Sequence, residues 1–89
     1  MKPFTLVGVD GNAFSVMAYV TRAMRTAGMS IGERQVYQAL AMSGDYDNLL
    51  IKSIEMIDKV NEKLVEQGKL PKDYDSDDYY EDEYEDNEY

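Results

Sequence analysis

The stretch DYDNLLIKSIEMIDKVNEKLVEQG, residues 45–68, decides the fold of this chain. Leu50, Ile54, Ile57, Val60 and Leu64 recur at helical spacing, with Leu49 and Ile51 beside them, which predicts a helix over residues 47–67 with one apolar face. Glu55 and Lys59 sit four apart in the favourable order for an ion pair on its outer surface. Asp45 and Asp47 follow Ser43-Gly44 directly, so they read as helix-starting caps rather than as an acid–base pair. Gly68 ends the segment and Pro71 prevents its resumption.

Two further helices precede it. Ser30-Ile31-Gly32-Glu33 matches a capping box and opens a helix over residues 31–42 that is expected to bury Val36, Tyr37, Leu40 and Ala41. Upstream, Ala13, Met17, Val20, Met24 and Ala27, with Val16 and Ala23, form a stripe predicting a helix over residues 13–27, capped by Asp10 or Asn12 and stopped by Gly28. Arg22 and Arg25 fall off that stripe. Connections of a few residues make consecutive helices antiparallel or steeply crossed neighbours. Phe4–Val9 is short and β-branched and reads as a strand or an extended arm.

The expected fold is therefore mainly α: a compact three-helix cluster over residues 1–72, with a short N-terminal strand or arm and a disordered acidic tail over residues 73–89. A core of this size seldom contributes more than ~3–5 kcal/mol. Phe14, Ile51 and Met56 lie outside the main stripes, so they are expected to cover the arm or to face a second subunit in a homo-oligomer.

At 89 residues the chain holds one small domain, which excludes an enzyme with separate cofactor and substrate lobes. With no Cys and no His, disulfide scaffolds, zinc fingers, thiol or imidazole nucleophiles and a histidine base are excluded too. No apolar run approaches the ~20 residues of a membrane span, and Phe4–Val9 is too short for a signal-peptide core. A cytoplasmic protein without catalytic activity, cofactor or resident metal is the resulting expectation.

One loop invites a phosphate. Gly8, Asp10, Gly11 and Asn12 enter a helix, where free amides and the helix dipole suit an anion. Neither a P-loop nor a dinucleotide pattern is present, however, and Asp10 repels anions, so a glycine turn with helix-capping side chains is the favoured reading. Asp73, Asp75 and Asp77 imitate the start of a calcium loop, but Asp78 and Tyr84 stand where that loop needs Gly and Glu. Arg22, Arg25 and Arg34 are too few for a nucleic-acid face, so direct nucleic-acid binding is not expected.

Charge divides the chain sharply. The net charge of −9 arises from 18 acids and 9 bases. Residues 73–89 carry ten of those acids (Asp73, Asp75, Asp77, Asp78, Glu81, Asp82, Glu83, Glu85, Asp86 and Glu88) and no base. Residues 1–72 are left with a net of +1. A purely solubilising tail is one reading. Tyr74, Tyr79, Tyr80, Tyr84 and Tyr89 favour another, because acid interleaved with aromatic suits a basic groove that also offers stacking or cation–π partners. Fully extended, seventeen residues span at most ~56–61 Å. That places one charge per about 6 Å, against one per ~3.4 Å in a single nucleic-acid strand.

VDGNAF at 9–14 and SGDYDNLL at 43–50 resemble segments that recur in small uncharacterised bacteriophage proteins. The resemblance covers residues 4–60 and implies a small phage-encoded protein acting in a host cytoplasm. The expected function is an inhibitor whose acidic, tyrosine-rich segment competes for the basic groove of a host nucleic-acid-binding protein. The alternative is an oligomeric helical adaptor or small-ligand (nucleotide or phosphate) binder with a solubilising tail.

Overall fold

The computed structural model describes residues 1–74. The expected disordered tail, from residue 75 onward, lies outside the described residues. Three helices form: α1 (Ala13–Thr26), α2 (Ile31–Ala41) and α3 (Tyr46–Glu66). α1 packs most extensively along α3, α2 also leans mainly on α3, and α1 and α2 touch least. The long C-terminal helix is thus the spine of the cluster.

Local chemistry sets each boundary. Asn12 accepts from the Phe14 and Ser15 amides and caps α1. Asp10 instead accepts from the Asn12 N–H and shapes the turn before the cap. Ser30 and Glu33 complete the expected capping box on α2, and bonds from the Ser30 backbone and side chain hold the Glu33 carboxyl below the usual glutamate range. α1 and α3 end alike. Gly28 (φ 79°) and Gly68 (φ 77°) take left-handed backbone, and the next N–H in each case returns to the carbonyl of Met24 or Leu64. The chain thereby doubles back, and Met29 and Leu70 are tucked into the core. Gln67 Nε2 donates to the Ala27 carbonyl at 2.8 Å, tying the two helix ends together.

The core contains Val16, Met17, Val20, Ala23 and Met24 of α1, Tyr37 and Ala41 of α2, and Leu49, Ile57, Val60 and Leu64 of α3. Two polar side chains share it, Ser53 and Asn61. Ser53 Oγ meets the Tyr37 hydroxyl at 2.7 Å. Burial pushes that phenol above its ordinary pKa, and the bond to Ser53 partly offsets the shift.

These polar residues correct the sequence reading of α3. The buried line runs through Leu49, Ser53, Ile57, Val60, Asn61 and Leu64. Ile54, expected inside, is instead 53 % exposed, and Leu50 is half-buried. In the N-terminal half the inward face is turned by one residue, because Ser53 carries a hydrogen bond that only the inside supplies. Val36 and Leu40, also expected inside, are 60 % and 48 % exposed. Together with Tyr37 and Ala41 they span an arc of about 140° at 100° per residue. An 11-residue helix leaning on one neighbour buries only part of that arc. The expected Glu55–Lys59 pair gives way to Lys52–Glu55 at 3.9 Å on an exposed surface.

No strand forms among the described residues, and the N-terminal segment is an extended arm. Asn61 is what holds it. The Phe4 N–H donates to Asn61 Oδ1 at 2.9 Å, and Asn61 Nδ2 donates back to the Phe4 carbonyl at 2.9 Å. One carboxamide thus supplies both bonds that a neighbouring strand would have made. The Tyr19 hydroxyl accepts from the Thr5 N–H at 2.9 Å, while the Phe4 and Tyr19 rings meet edge to face at 5.9 Å. The arm borders a groove together with Ile54, Ile57 and Asn61, while Phe14 and Ile51 are largely exposed and Met56 lines a separate groove with Val36 and Leu40.

Asn61→Ala removes both bonds to Phe4 and is expected to lower unfolding free energy by about 1–3 kcal/mol in urea titration, with faster hydrogen exchange at the Phe4 and Thr5 amides. Tyr37→Phe and Ser53→Ala each orphan a buried hydroxyl or its partner and should cost about 1–2 kcal/mol. The double variant should lose less than the sum, which a double-mutant cycle measures.

Candidate functional site

The loop holding Gly8, Asp10, Gly11 and Asn12 is exposed, and the amides that open α1 are partly engaged by its own side chains. The Asn12 side chain takes the Phe14 and Ser15 amides, and the Asp10 carboxylate takes the Asn12 amide. A phosphate would have to displace the first and would be repelled by the second. The Gly11 carbonyl accepts from the Tyr46 hydroxyl. This contact joins VDGNAF to SGDYDNLL, segments that lie 35 residues apart at that point.

Asp45 and Asn48 of the second segment also have structural duties. Asp45 caps α3 by accepting from the Asn48 N–H at 2.9 Å. Asn48 Nδ2 donates to the Leu40 and Ala41 carbonyls, closing the end of α2. Gly44 leaves room for that side chain, since a Cβ at position 44 would stand 3.0 Å from Asn48 Cβ, a tight approach. Asp47 lies exposed in the first turn of α3. Both segments therefore build the junction between α1, α2 and α3.

Of the acidic segment, Asp73 and Tyr74 are described. Asp73 is exposed, whereas Tyr74 is half-buried, packs against the core and lies in the groove beside Phe4 and Asn61. The Tyr74 N–H returns to the Pro71 carbonyl at 3.2 Å. The packed body thus reaches residue 74, two beyond the sequence boundary. The other proposed partner-binding residues, Asp75 through Tyr89, lie outside the described residues.

What sequence reading missed is the surface of the body. Two open grooves flank α2. One, of about 610 Å³, runs between α2 and α3, with Val36, Leu40 and Met56 along it and Glu33 and Lys59 at its edges. The other, of about 530 Å³, lies between α1 and α2; Phe14, Met17 and Met42 supply apolar surface, and Arg22 and Arg25 supply charge. The second had a legible signal: Phe14, Ala18, Thr21 and Arg25 recur at i, i+4, i+7 and i+11, an outward stripe opposite the buried one.

Among the described residues, no group of three or more Asp, Glu, His or Cys is placed to hold a metal ion, and no helix is long and apolar enough to cross a membrane. No family model, curated protein or solved structure matches the chain.

Asn12→Ala is expected to cost about 1 kcal/mol of stability through loss of the α1 cap. Millimolar inorganic phosphate should leave the melting temperature of the native chain unchanged in thermal-shift measurement, because Asn12 holds the Phe14 and Ser15 amides and the Asp10 carboxylate repels an anion.

Proposed function

We propose that this chain is a non-enzymatic interaction protein whose helical body anchors an acidic, tyrosine-rich segment, residues 73–89, that competes for the basic nucleic-acid-binding groove of another protein. A phage inhibitor of a host protein would act in this way. The observation that carries the reading is the partition of charge: ten acids and no base in seventeen residues, with five tyrosines among them, beside a body of net +1. Tyr74 supports it, because a half-buried anchor at the root of the segment fixes where it leaves the body. Carboxylates replace phosphates in such a groove, and tyrosine rings replace stacked bases.

A second reading places function on the body. Val36 and Leu40, exposed along a groove with Met56, form an apolar face suited to a partner helix or a second copy of the chain. In that reading the acidic segment serves solubility.

Displacement of a labelled oligonucleotide from basic nucleic-acid-binding proteins separates the two. The full chain should displace it, a chain ending at Tyr74 should not, and the effect should weaken about tenfold or more between 50 and 200 mM salt. Equal displacement by the truncated chain, lost instead in Val36→Glu, would establish the body as the binding element.

A further inference from the structure

The groove between α1 and α2 differs from its neighbours in charge. Arg22 and Arg25 line it and no carboxylate does. Four other grooves of the surface each include at least one acid: Asp58 beside the arm, Glu33 and Glu55 around Met56, and Glu62 with Glu66 near Tyr74. Neither guanidinium has an ion-pair partner among the described residues, where Lys52–Glu55 is the ion pair that forms. Exposed apolar surface lies next to the two arginines, since Phe14 is 75 % and Met42 64 % exposed. A ligand suited to this groove is both anionic and aromatic.

The chain carries such a ligand. We propose that residues 75–89 fold back across the body and occupy the Arg22/Arg25 groove, carboxylates on the guanidiniums and tyrosine rings against Phe14, Met17 and Met42. The contact itself is independent of any partner. Its consequence rests on the proposed function: the body masks its own partner-binding segment until a more basic surface takes it over.

The exit point favours this path. Tyr74 lies in the groove beside Phe4, the Phe4 ring meets Tyr19, and Arg22 follows Tyr19 by three residues on α1. Residues three apart on a helix are surface neighbours. Asp58 is the one carboxylate lining the groove beside Phe4, whereas in the groove on the other side of Tyr74 Glu62 and Glu66 outnumber Lys72 and repel the acids that follow. From Tyr74 to Tyr79 and Tyr84 the chain extends at most ~18 and ~36 Å. The middle dimension of the molecule is 28 Å. The reach is sufficient. Tyrosine over a guanidinium and thioether against an aromatic ring are both favourable contacts.

The absence of cysteine allows a single spin label at Asn87→Cys in the full chain. At low salt, the label should broaden the amide signals of Ala18, Arg22, Arg25 and Met42 to less than half their intensity, while Val36 and Lys59 remain sharp. The broadening should vanish in Arg22→Gln/Arg25→Gln and at ~0.5 M NaCl, where the Debye length falls to about 4 Å. Absent or uniform broadening would overturn the proposal, as would broadening centred on Val36 and Lys59 or persisting in the double variant. Transfer appearing only between spin-labelled and isotope-labelled copies in a mixed sample would assign the groove to a second molecule, and would equally overturn it. Loss of displacement activity in the Tyr74 truncation, read separately, tests the proposed function and not this contact.

Discussion

The structure depends on α3 burying polar side chains that have a single good partner each. Ser53, Ile57 and Asn61 stand four apart and share one face of the helix. Ser53 fastens α2 through the Tyr37 hydroxyl, and Asn61 fastens the arm through both backbone groups of Phe4. Apolar packing is non-directional and would tolerate small sliding of either element. The buried hydroxyl and carboxamide do not tolerate it, since a shifted partner leaves them unpaired in a dry environment. Register in this small cluster is therefore set by two polar contacts within an apolar core.

That arrangement explains which features were legible in the sequence. Caps and stops operate over three or four residues, so Asn12, the Ser30–Glu33 box, Gly28 and Gly68 all act where local chemistry placed them. The three helices followed from those signals and from apolar spacing. The phase of α3 did not, because periodicity counts Ser53 and Asn61 as outward positions and Ile54 as inward. Nothing within a few residues of Asn61 announces a partner 57 positions away. The arm had the same obscurity. Its apolar, β-branched composition suits a strand, and only the distant carboxamide determines that it pairs with a side chain instead.

The surface follows from the same limitation. Val36 and Leu40 are as apolar as the residues buried beside them, but α2 has one neighbour of consequence and turns Tyr37 and Ala41 toward it. Phe14, Met42, Ile51 and Ile54 are exposed for related reasons, each on a face with no helix to meet it. Scattered apolar residues are ordinary on small proteins. Here, however, several of them line grooves, and the grooves differ in charge: mixed between α2 and α3, purely cationic between α1 and α2. The candidate polar loop, by contrast, has structural contacts of its own: Asn12 takes the Phe14 and Ser15 amides, Asp10 takes the Asn12 amide, and the Gly11 carbonyl meets Tyr46.

A body of net zero charge through Tyr74, joined to nine further acids beyond it, is electrostatically unbalanced within one molecule. Under the proposed self-contact, tethering would supply those acids to Arg22 and Arg25 at an effective concentration on the order of millimolar, enough to populate even weak exposed ion pairs. Two guanidiniums neutralise only a fraction of the segment. Most of its carboxylates would then remain unpaired, for a partner groove with more cations to gain. The proposed self-contact would work as a threshold: surfaces with two or three scattered bases would compete on equal terms with the body and lose to the tether, whereas a continuous basic channel would prevail. Specificity for strongly cationic grooves would arise in this way from an internal competitor, with no need for residues that recognise one partner by shape.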